Sequence, residues 1–330
     1  MENGDRGSAS DMDTLKAQIL AARNPGEVTQ AIASASFSPR AAAFTSLIQL
    51  CAKSREIDKA LEIFQAMQLV AGIAPNTFSY SALISACGRS GRWQQAEQLF
   101  WELQAKAKKD PAARPNTVTY SALISAYEKG GQLERALQAF RQQLEDGVEP
   151  DLITYSSLIS ACERAGKLDT AVSLLDSMHS QGLAGTPAIY NSLIAMAAND
   201  GRWEEALEIF LGMQCAQVEP NQQTCNLLMS ALAQSGEAAR HALWLLQECR
   251  AHGVPLSSTA LSSLVTALSS SGHWRAALDV LRHLKEVGAP LTPAAAASAL
   301  ESCSQAAQQG HEEAKVLQER LQNDGILVRS

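Results

Sequence analysis

A short segment recurs along the chain at a nearly fixed interval, and this repeat constrains the fold more than any other feature. Its four clearest copies begin at Thr77, Thr117, Leu152 and Pro187, which are 40, 35 and 35 residues apart. With three weaker copies we count seven repeats, at 41–76, 77–116, 117–151, 152–186, 187–221, 222–257 and 258–292. Periods of this length are typical of arrays in which neighbouring repeats share one continuous core.

Each repeat is predicted to form two helices. In the first, apolar side chains stand at places 4, 7, 8 and 11 of the repeat, as in Tyr80, Leu83, Ile84 and Cys87, and this spacing forms one apolar stripe. A glycine is expected to end that helix, because glycine tolerates a left-handed C-cap. It stands at place 15 of six repeats, as Gly91, Gly131, Gly166, Gly201, Gly236 and Gly272.

One such hairpin cannot bury its apolar faces alone, so neighbouring repeats must stack. We therefore predict an all-α protein, a right-handed superhelical solenoid of helix–turn–helix repeats. Residues 1–12 are expected to be disordered, 13–40 to form a degenerate N-terminal helical cap, and 293–330 to form C-terminal capping helices.

Composition narrows the classes of function. The net charge of −7 argues against a non-specific nucleic-acid coat, so any nucleic-acid binding requires a local basic stripe. The seven cysteines include no CxxC pair, which argues against a disulfide framework or a zinc site and favours a reducing compartment. The sequence has no membrane-spanning run and no clear transit peptide or secretory signal.

Catalysis is not expected. The six histidines share no place in the repeat, and no HExxH, GxSxG, GxGxxG or phosphate-loop string is present. We therefore predict a chain that is not an enzyme and that needs no metal or cofactor.

The repeat itself resembles a known family. Segments such as Thr154-Tyr-Ser-Ser-Leu-Ile-Ser-Ala-Cys162, followed by Gly166, Ala171 and a terminal Pro-Asn or Pro-Asp, are similar to the pentatricopeptide repeat of the P-type. The Trp-x-x-Leu-Gly pattern of tetratricopeptide repeats is missing. The resemblance implies binding of single-stranded RNA in a chloroplast or mitochondrion, with one base read by each repeat.

In that family, place 5 and the last residue of each repeat read the base. The resemblance therefore implies seven base-reading pairs, namely Thr45–Asn76, Ser81–Asn116, Ser121–Asp151, Ser156–Thr186, Asn191–Asn221, Asn226–Ser257 and Ser262–Thr292. Ser or Thr with Asn suits adenine, Ser with Asp suits guanine, and Asn at place 5 suits pyrimidines. The implied target is 5′-A-A-G-x-C/U-C-x-3′, with the Ser–Thr pairs of repeats 4 and 7 undefined. Ser257 and Leu256 are alternative last residues of repeat 6.

Two further rows of residues indicate RNA independently of that scheme. Cations recur at place 13 as Lys53, Arg89, Lys129 and Arg164, on the same helix face as place 5, where they can contact a phosphate backbone. Apolar residues recur at place 2 as Phe78, Val118 and Ile153, where they can wedge between bases.

Alternatives stay open. A recurring charge is often only a solvated face, and Asn76, Asn116 and Asp151 would cap helices in any helical array. A protein-interaction scaffold is favoured by the acidic pI of about 5.5 and by the lack of place-13 cations from Asn199 onwards. A non-catalytic subunit of an RNA-processing enzyme is a third possibility.

Overall fold

The computed structural model describes residues 5–22, 24, 26–34, 41–54, 56–235, 239–251, 253–254, 256–287, 292–308 and 314. Across these residues the secondary structure is helical. The helices are α1 (Asp5–Ala21), α2 (Glu27–Ala33), α3 (Ala41–Lys53), α4 (Ile57–Leu69), α5 (Thr77–Arg89), α6 (Trp93–Ala107), α7 (Thr117–Lys129), α8 (Leu133–Glu145), α9 (Leu152–Ala165), α10 (Leu168–Ser180), α11 (Pro187–Asn199), α12 (Trp203–Cys215), α13 (Gln222–Ser235), α14 (Ala239–Ala251), α15 (Ser258–Ser270), α16 (Trp274–Val287) and α17 (Pro293–Gln308). A 3-10 turn at Pro111–Ala113 follows α6.

The chain divides into two compact bodies, Met1–Ala165 and Gly166–Ser330. In the first body, α3, α5, α7 and α9 pack side by side, and α4, α6 and α8 each pack against the helix that precedes them. In the second body, α11, α13, α15 and α17 pack in the same way, with α12, α14 and α16 as their second helices. The predicted all-α fold of stacked helix–turn–helix repeats is thereby confirmed within each body.

Local sequence sets the ends of these helices. Asn76 caps α5 by accepting a hydrogen bond from the Ser79 backbone N–H, and Asn116 caps α7 in the same way through Thr119. At the other end, Gly91 and Gly131 have φ of 72° and 66°, as the left-handed turn requires. The predicted turn glycine Gly236 lies outside the described residues.

Aromatic pairs tie successive repeats together. The place-4 tyrosines of repeats 2 to 4 meet a phenylalanine from the second helix of the preceding repeat, edge to face. The pairs are Phe64–Tyr80, Phe100–Tyr120 and Phe140–Tyr155, with ring centroids 4.9, 5.1 and 5.5 Å apart. The Tyr80 hydroxyl donates to Glu102 over 2.7 Å. Burial, followed by this hydrogen bond, raises the Tyr80 pKa. These tyrosines are core residues and are not available to stack on bases.

The N-terminal segment differs from the prediction of disorder for residues 1–12. Helix α1 begins at Asp5 and therefore includes most of that segment. Leu15 and Ile19 are buried in the core, and a helix anchored by buried residues extends more readily than it nucleates. At the other end, α17 forms the start of the predicted C-terminal cap, whereas residues 309–313 and 315–330 lie outside the described residues. The division into seven repeats and two caps remains our proposal.

Candidate nucleic-acid interface

In repeats 1, 2, 5, 6 and 7, hydrogen bonds link the two predicted base-reading residues where the next repeat begins. In repeat 1, Thr45 Oγ1 lies 2.9 Å from Ser79 Oγ, and Ser79 Oγ donates to Asn76 Oδ1 over 3.0 Å. In repeat 2, Ser81 Oγ lies 2.8 Å from Thr119 Oγ1, which donates to Asn116 Oδ1 over 3.0 Å. In both of these repeats, a hydroxyl of the following helix therefore links the members of the pair.

Repeat 5 joins its pair directly as well as through a hydroxyl. Asn191 Nδ2 donates to Asn221 Oδ1 over 3.3 Å. Thr224 Oγ1 lies 2.6 Å from Asn191 Oδ1 and 3.0 Å from Asn221 Oδ1. The three side chains form one polar cluster at the start of α13.

Repeats 6 and 7 use the backbone of the last residue. The Ser257 N–H donates to Asn226 Oδ1 over 3.0 Å, and the Thr292 N–H donates to Ser262 Oγ over 3.4 Å. Ser257 is also the N-cap of α15, whereas Leu256 is buried. This arrangement favours Ser257 over Leu256 as the last residue of repeat 6.

The remaining two pairs differ. In repeat 3, Asp151 Oδ1 accepts from the Thr154 backbone N–H and hydroxyl, both at 2.8 Å, while Ser121 Oγ donates to the Val118 carbonyl over 3.2 Å. Within the described part of the chain no hydrogen bond joins Ser121 to Asp151. In repeat 4, Ser156 is exposed, and it belongs to the first body while Thr186 belongs to the second.

Access to the pairs is uneven, which the sequence did not lead us to expect. Ser81, Ser121, Asn191 and Ser262 at place 5 are only 6%, 5%, 4% and 3% exposed, because the next first helix packs over them. Thr45 and Asn226 are half-buried. Every last residue is exposed or half-buried: Asn76, Asn116, Asp151, Thr186, Asn221, Ser257 and Thr292. In repeats 1, 2, 3, 5 and 7 the last residue is thus the more accessible member of the pair, whereas in repeat 4 the place-5 residue Ser156 is the more exposed one.

Sequence reasoning missed the linking hydroxyls at place 3. Ser79, Thr119, Thr154 and Thr224 are completely buried, and each bonds to the Asn or Asp three residues before it. The signal was present, since a capping residue followed three residues later by a side chain that can return a hydrogen bond is the spacing of a capping box. In α7 the box is complete, because the Asn116 N–H also donates to Thr119 Oγ1.

The four predicted phosphate-contacting cations are exposed, but they are not equivalent. Lys53 and Lys129 have no hydrogen-bond or ion-pair partner among the described residues, and Arg89 donates only to Ser85 Oγ, at 3.2 Å. Arg164 forms an ion pair with the Glu128 carboxylate and donates to the Glu128 carbonyl. The charge at Arg164 is therefore partly neutralised.

The predicted wedging residues form a row of exposed apolar side chains. Phe78, Val118 and Ile153 are 71%, 60% and 61% exposed. Each stands two residues after an Asn or Asp that closes the preceding repeat. At the starts of α5, α7 and α9, an exposed or half-buried Asn or Asp is thus followed two residues later by an exposed apolar side chain.

Two classes of feature are not found in the part of the chain that the structure describes. No group of three or more His, Cys, Asp or Glu side chains there is arranged to hold a metal ion. Among the same described residues, no helix combines the length and apolar character of a membrane span.

Comparison with solved structures identifies similar folds at low sequence identity. Pentatricopeptide repeat protein PPR10 from maize is 20% identical, with a TM-score of 0.57 over 92% of this chain and 44% of that chain. PPR10 in complex with an 18-nt psaJ RNA element is also 20% identical, with a TM-score of 0.54 over 92% of this chain and 48% of that chain. Nuclear protein-only RNase P 2 of Arabidopsis thaliana is 15% identical, with a TM-score of 0.50 over 60% of this chain and 43% of that chain. The chain thus spans about half the length of these structures.

Family comparison is more specific. The model of the PPR repeat family matches residues 39–89 and 115–164, and that of the PPR repeat matches 78–106. The model described as pentatricopeptide repeat-containing protein matches residues 164–284. No curated protein matches the chain significantly. Together the family matches span 39–106 and 115–284, most of the chain, and they agree with the helical hairpins described above. The chain belongs to the pentatricopeptide repeat family.

Proposed function

We propose that this chain binds single-stranded RNA and selects the RNA sequence at the junctions between repeats. A junction is the place where the last residue of one repeat meets the first helix of the next, and one base faces each junction that selects a base. Binding is passive: the chain masks or remodels an RNA segment, or positions it for another factor in RNA processing, stabilisation, splicing, editing or translation. The chain is not itself an enzyme and uses no cofactor. Its site of action is an organelle, chloroplast or mitochondrion, as is usual for the family.

One observation carries this proposal. At the junctions closed by Asn76, Asn116 and Asp151, the Oδ1 atom caps the following helix. The second polar atom at the end of each side chain, Nδ2 of Asn or Oδ2 of Asp, has no hydrogen-bond partner among the described residues. We call this atom the free head of the side chain. Free polar heads of defined chemistry, repeated on successive repeats, are suited to hydrogen bonding with the edges of unpaired bases.

The free heads agree with the base scheme that the family resemblance implies. Asn76 and Asn116 present an amide N–H donor, which the acceptor N1 of adenine can receive. Asp151 presents a carboxylate oxygen, which can accept from the N–H groups of guanine. The neighbouring Phe78, Val118 and Ile153 provide apolar contact for the base faces, and Lys53, Arg89 and Lys129 provide charge for the phosphates.

The similar protein PPR10 has been solved in complex with an 18-nt RNA element. The RNA-bound state of a protein with this fold supports RNA as the partner class that we propose. The burial of place 5 in repeats 2, 3, 5 and 7 adds one requirement. Either the last residue reads the base alone in those repeats, or the junction opens when RNA binds.

Replacing Asp151 with Asn tests base reading with a single atom. Asp151→Asn keeps the Oδ1 cap of α9 but turns the free acceptor into a donor, so the preferred third base should change from guanine to adenine. Selection from a randomised RNA pool measures the change. Glu149→Gln removes the same charge from an exposed side chain two residues earlier and should leave the base preference unaltered. An unaltered third base in Asp151→Asn would rule out this residue as a reader.

The protein-interaction scaffold remains the second candidate, favoured by the net charge of −7 and by the neutralised Arg164. A salt titration separates the two. RNA binding that strengthens as salt is lowered supports our proposal, and no detectable RNA affinity at low salt would favour the scaffold.

A further inference from the structure

The seven junctions fall into two chemical classes. Four repeats end in Asn or Asp, and in each case the residue three places later carries a hydroxyl, giving Asn76–Ser79, Asn116–Thr119, Asp151–Thr154 and Asn221–Thr224. Three repeats end in Ser or Thr, and there the residue three places later is aliphatic, giving Thr186–Ile189, Ser257–Ala260 and Thr292–Ala295. The identity of the last residue and that of the following place 3 therefore change together along the whole chain.

In the first class, both groups of the place-3 residue bond to one oxygen. The hydroxyls of Ser79, Thr119 and Thr154 donate to Oδ1 over 3.0, 3.0 and 2.8 Å. The Thr224 hydroxyl lies 3.0 Å from Asn221 Oδ1 and 2.6 Å from Asn191 Oδ1, so its one proton is shared between these two oxygens. Their backbone N–H groups donate to the same atom over 2.9, 3.1, 2.8 and 3.0 Å. Each Asn or Asp is held by two hydrogen bonds to a completely buried residue.

This pair of hydrogen bonds has a consequence for Asn that a cap with a single hydrogen bond lacks. The terminal torsion of an Asn side chain is broad and roughly two-fold, so that amide O and N can exchange places. With the Thr119 backbone N–H directed at Oδ1 of Asn116, the exchanged orientation would place the amide N–H₂ against a donor. The exchanged orientation would also lose the hydrogen bond that the Thr119 hydroxyl donates to Oδ1. The place-3 hydroxyl therefore adds a second hydrogen bond to the orientation in which the Nδ2 donor of Asn116 faces outward.

In the second class, the side chain of the last residue has no second polar atom whose outward orientation would need to be fixed. Thr186, Ser257 and Thr292 each accept a backbone N–H with their single oxygen, at 3.4, 3.2 and 3.4 Å. A hydroxyl engaged in this way has no second polar atom and keeps only its own rotatable O–H, which does not define one hydrogen-bonding pattern for a base. An aliphatic residue at place 3, as at Ile189 and Ala260, is consistent with a junction whose last residue needs no hydroxyl to orient its side chain.

We propose that the place-3 hydroxyls are specificity-positioning residues, and that their presence divides the repeats into readers and non-readers. Repeats 1, 2, 3 and 5 select a base, because Ser79, Thr119, Thr154 and Thr224 orient the last residue. Repeats 4, 6 and 7 accept any base, so that for repeat 6 this inference replaces the cytosine implied by the family resemblance. This inference rests on the RNA-binding function proposed above and adds a statement about which positions of the RNA are selected.

Thr119→Val tests the inference by removing the hydroxyl while keeping the shape of a completely buried side chain. The preference for adenine at the second base should fall about fivefold, since one hydrogen bond contributes on the order of that factor. Preferences at the first and third bases should persist. Thr119→Ser restores a hydroxyl, as found naturally at Ser79, and should restore the preference. A general loss of stability would lower binding to all sequences alike and would not be rescued at a single base.

A gain of selectivity provides the complementary test in repeat 6. Ser257→Asn alone supplies a two-headed side chain without its orienting hydroxyl, and Ser257→Asn with Ala260→Thr supplies both. The double variant should discriminate bases at the sixth position about fivefold better than the single variant, on the same hydrogen-bond estimate. Thr224 shows that a threonine fits at the equivalent buried place of the neighbouring repeat.

The outcomes separate the two levels of the proposal. If the unmodified chain shows no RNA affinity, the proposed function fails, and this inference fails with it. If the unmodified chain selects adenine at the second base and Thr119→Val selects it equally well, only the positioning role is overturned. Equal discrimination by the single and double repeat-6 variants would overturn it as well.

Discussion

Single side chains at equivalent places in the repeats have acquired different local surroundings. Lys129 and Arg164 both stand at place 13, but only Arg164 is bound by the Glu128 carboxylate from the preceding repeat. Place alone therefore does not determine how much positive charge a repeat offers to RNA. The amount of available positive charge also depends on neighbouring carboxylates, which are numerous in a chain whose net charge is −7.

Lys129→Ala should weaken binding to all RNA sequences alike, because an exposed lysine without a partner neutralises one phosphate. The slope of log affinity against log salt should become shallower by about 0.7, the value for one phosphate of a single strand. Arg141→Ala removes the same charge from the second helix of that repeat and should leave the slope nearly unchanged. Equal effects from the two variants would show that only net charge matters.

Phe78→Ala should weaken RNA binding without lowering stability. The side chain is 71% exposed, so little core contact is lost, whereas stacking of one base on an aromatic ring contributes about 1–3 kcal/mol. Affinity and melting temperature, measured together, check this. Leu69→Ala is the matched control, since Leu69 is 84% exposed at the end of α4 and away from the place-2 row. The wedging role is untenable if Phe78→Ala binds as well as the control.

Helix packing sets where glycine is required. Gly88 in α5 faces α7 so closely that an added Cβ would lie 2.8 Å from Ala126 Cβ and 3.0 Å from its Cα. Gly212 in α12 has no described atom within 4 Å of such a Cβ. The two glycines occupy similar helical backbone, so they separate the effect of packing from that of helix propensity.

Gly88→Ala should destabilise the protein by about 1–3 kcal/mol, because the first helices of repeats 2 and 3 must move apart. Gly212→Ala should stabilise it by roughly 1 kcal/mol, because alanine is the better helix former and meets open space. Denaturant midpoints of the two variants give the comparison. Changes of the same sign would contradict the packing that we describe.

At the scale of the molecule, the repeat period and the apolar stripe were enough to predict the all-α fold. The seven first helices begin where conspicuous polar and turn residues stand, such as Asn76 and Asn116. Burial of Ser81 and Ser121 was not predictable in this way, because it depends on how closely neighbouring helices pack. The ion pair of Arg164 with Glu128 joins residues 36 apart, which no local pattern reveals. The burial of Leu15 and Ile19 in α1 likewise results from tertiary packing that the local sequence did not reveal.

The site was predictable to the extent that it repeats. The place-2 row and the place-13 cations follow from one alignment of the chain with itself, whereas the choice of place 5 and the last residue rests on the resemblance to the pentatricopeptide repeat. The hydroxyls at place 3 were overlooked because a buried Ser or Thr resembles an ordinary helix residue until its partner is seen. Thr119, bonded to both Ser81 and Asn116, becomes meaningful only when the two helices are side by side.

Selection of bound sequences from a random RNA pool tests the central claim most directly. The account predicts enrichment of adenine, adenine and guanine at three successive positions, then an unselected base, then a pyrimidine, with the two bases facing repeats 6 and 7 unselected. Binding with no preferred bases, or no enrichment above the background of an unrelated helical protein, would contradict it.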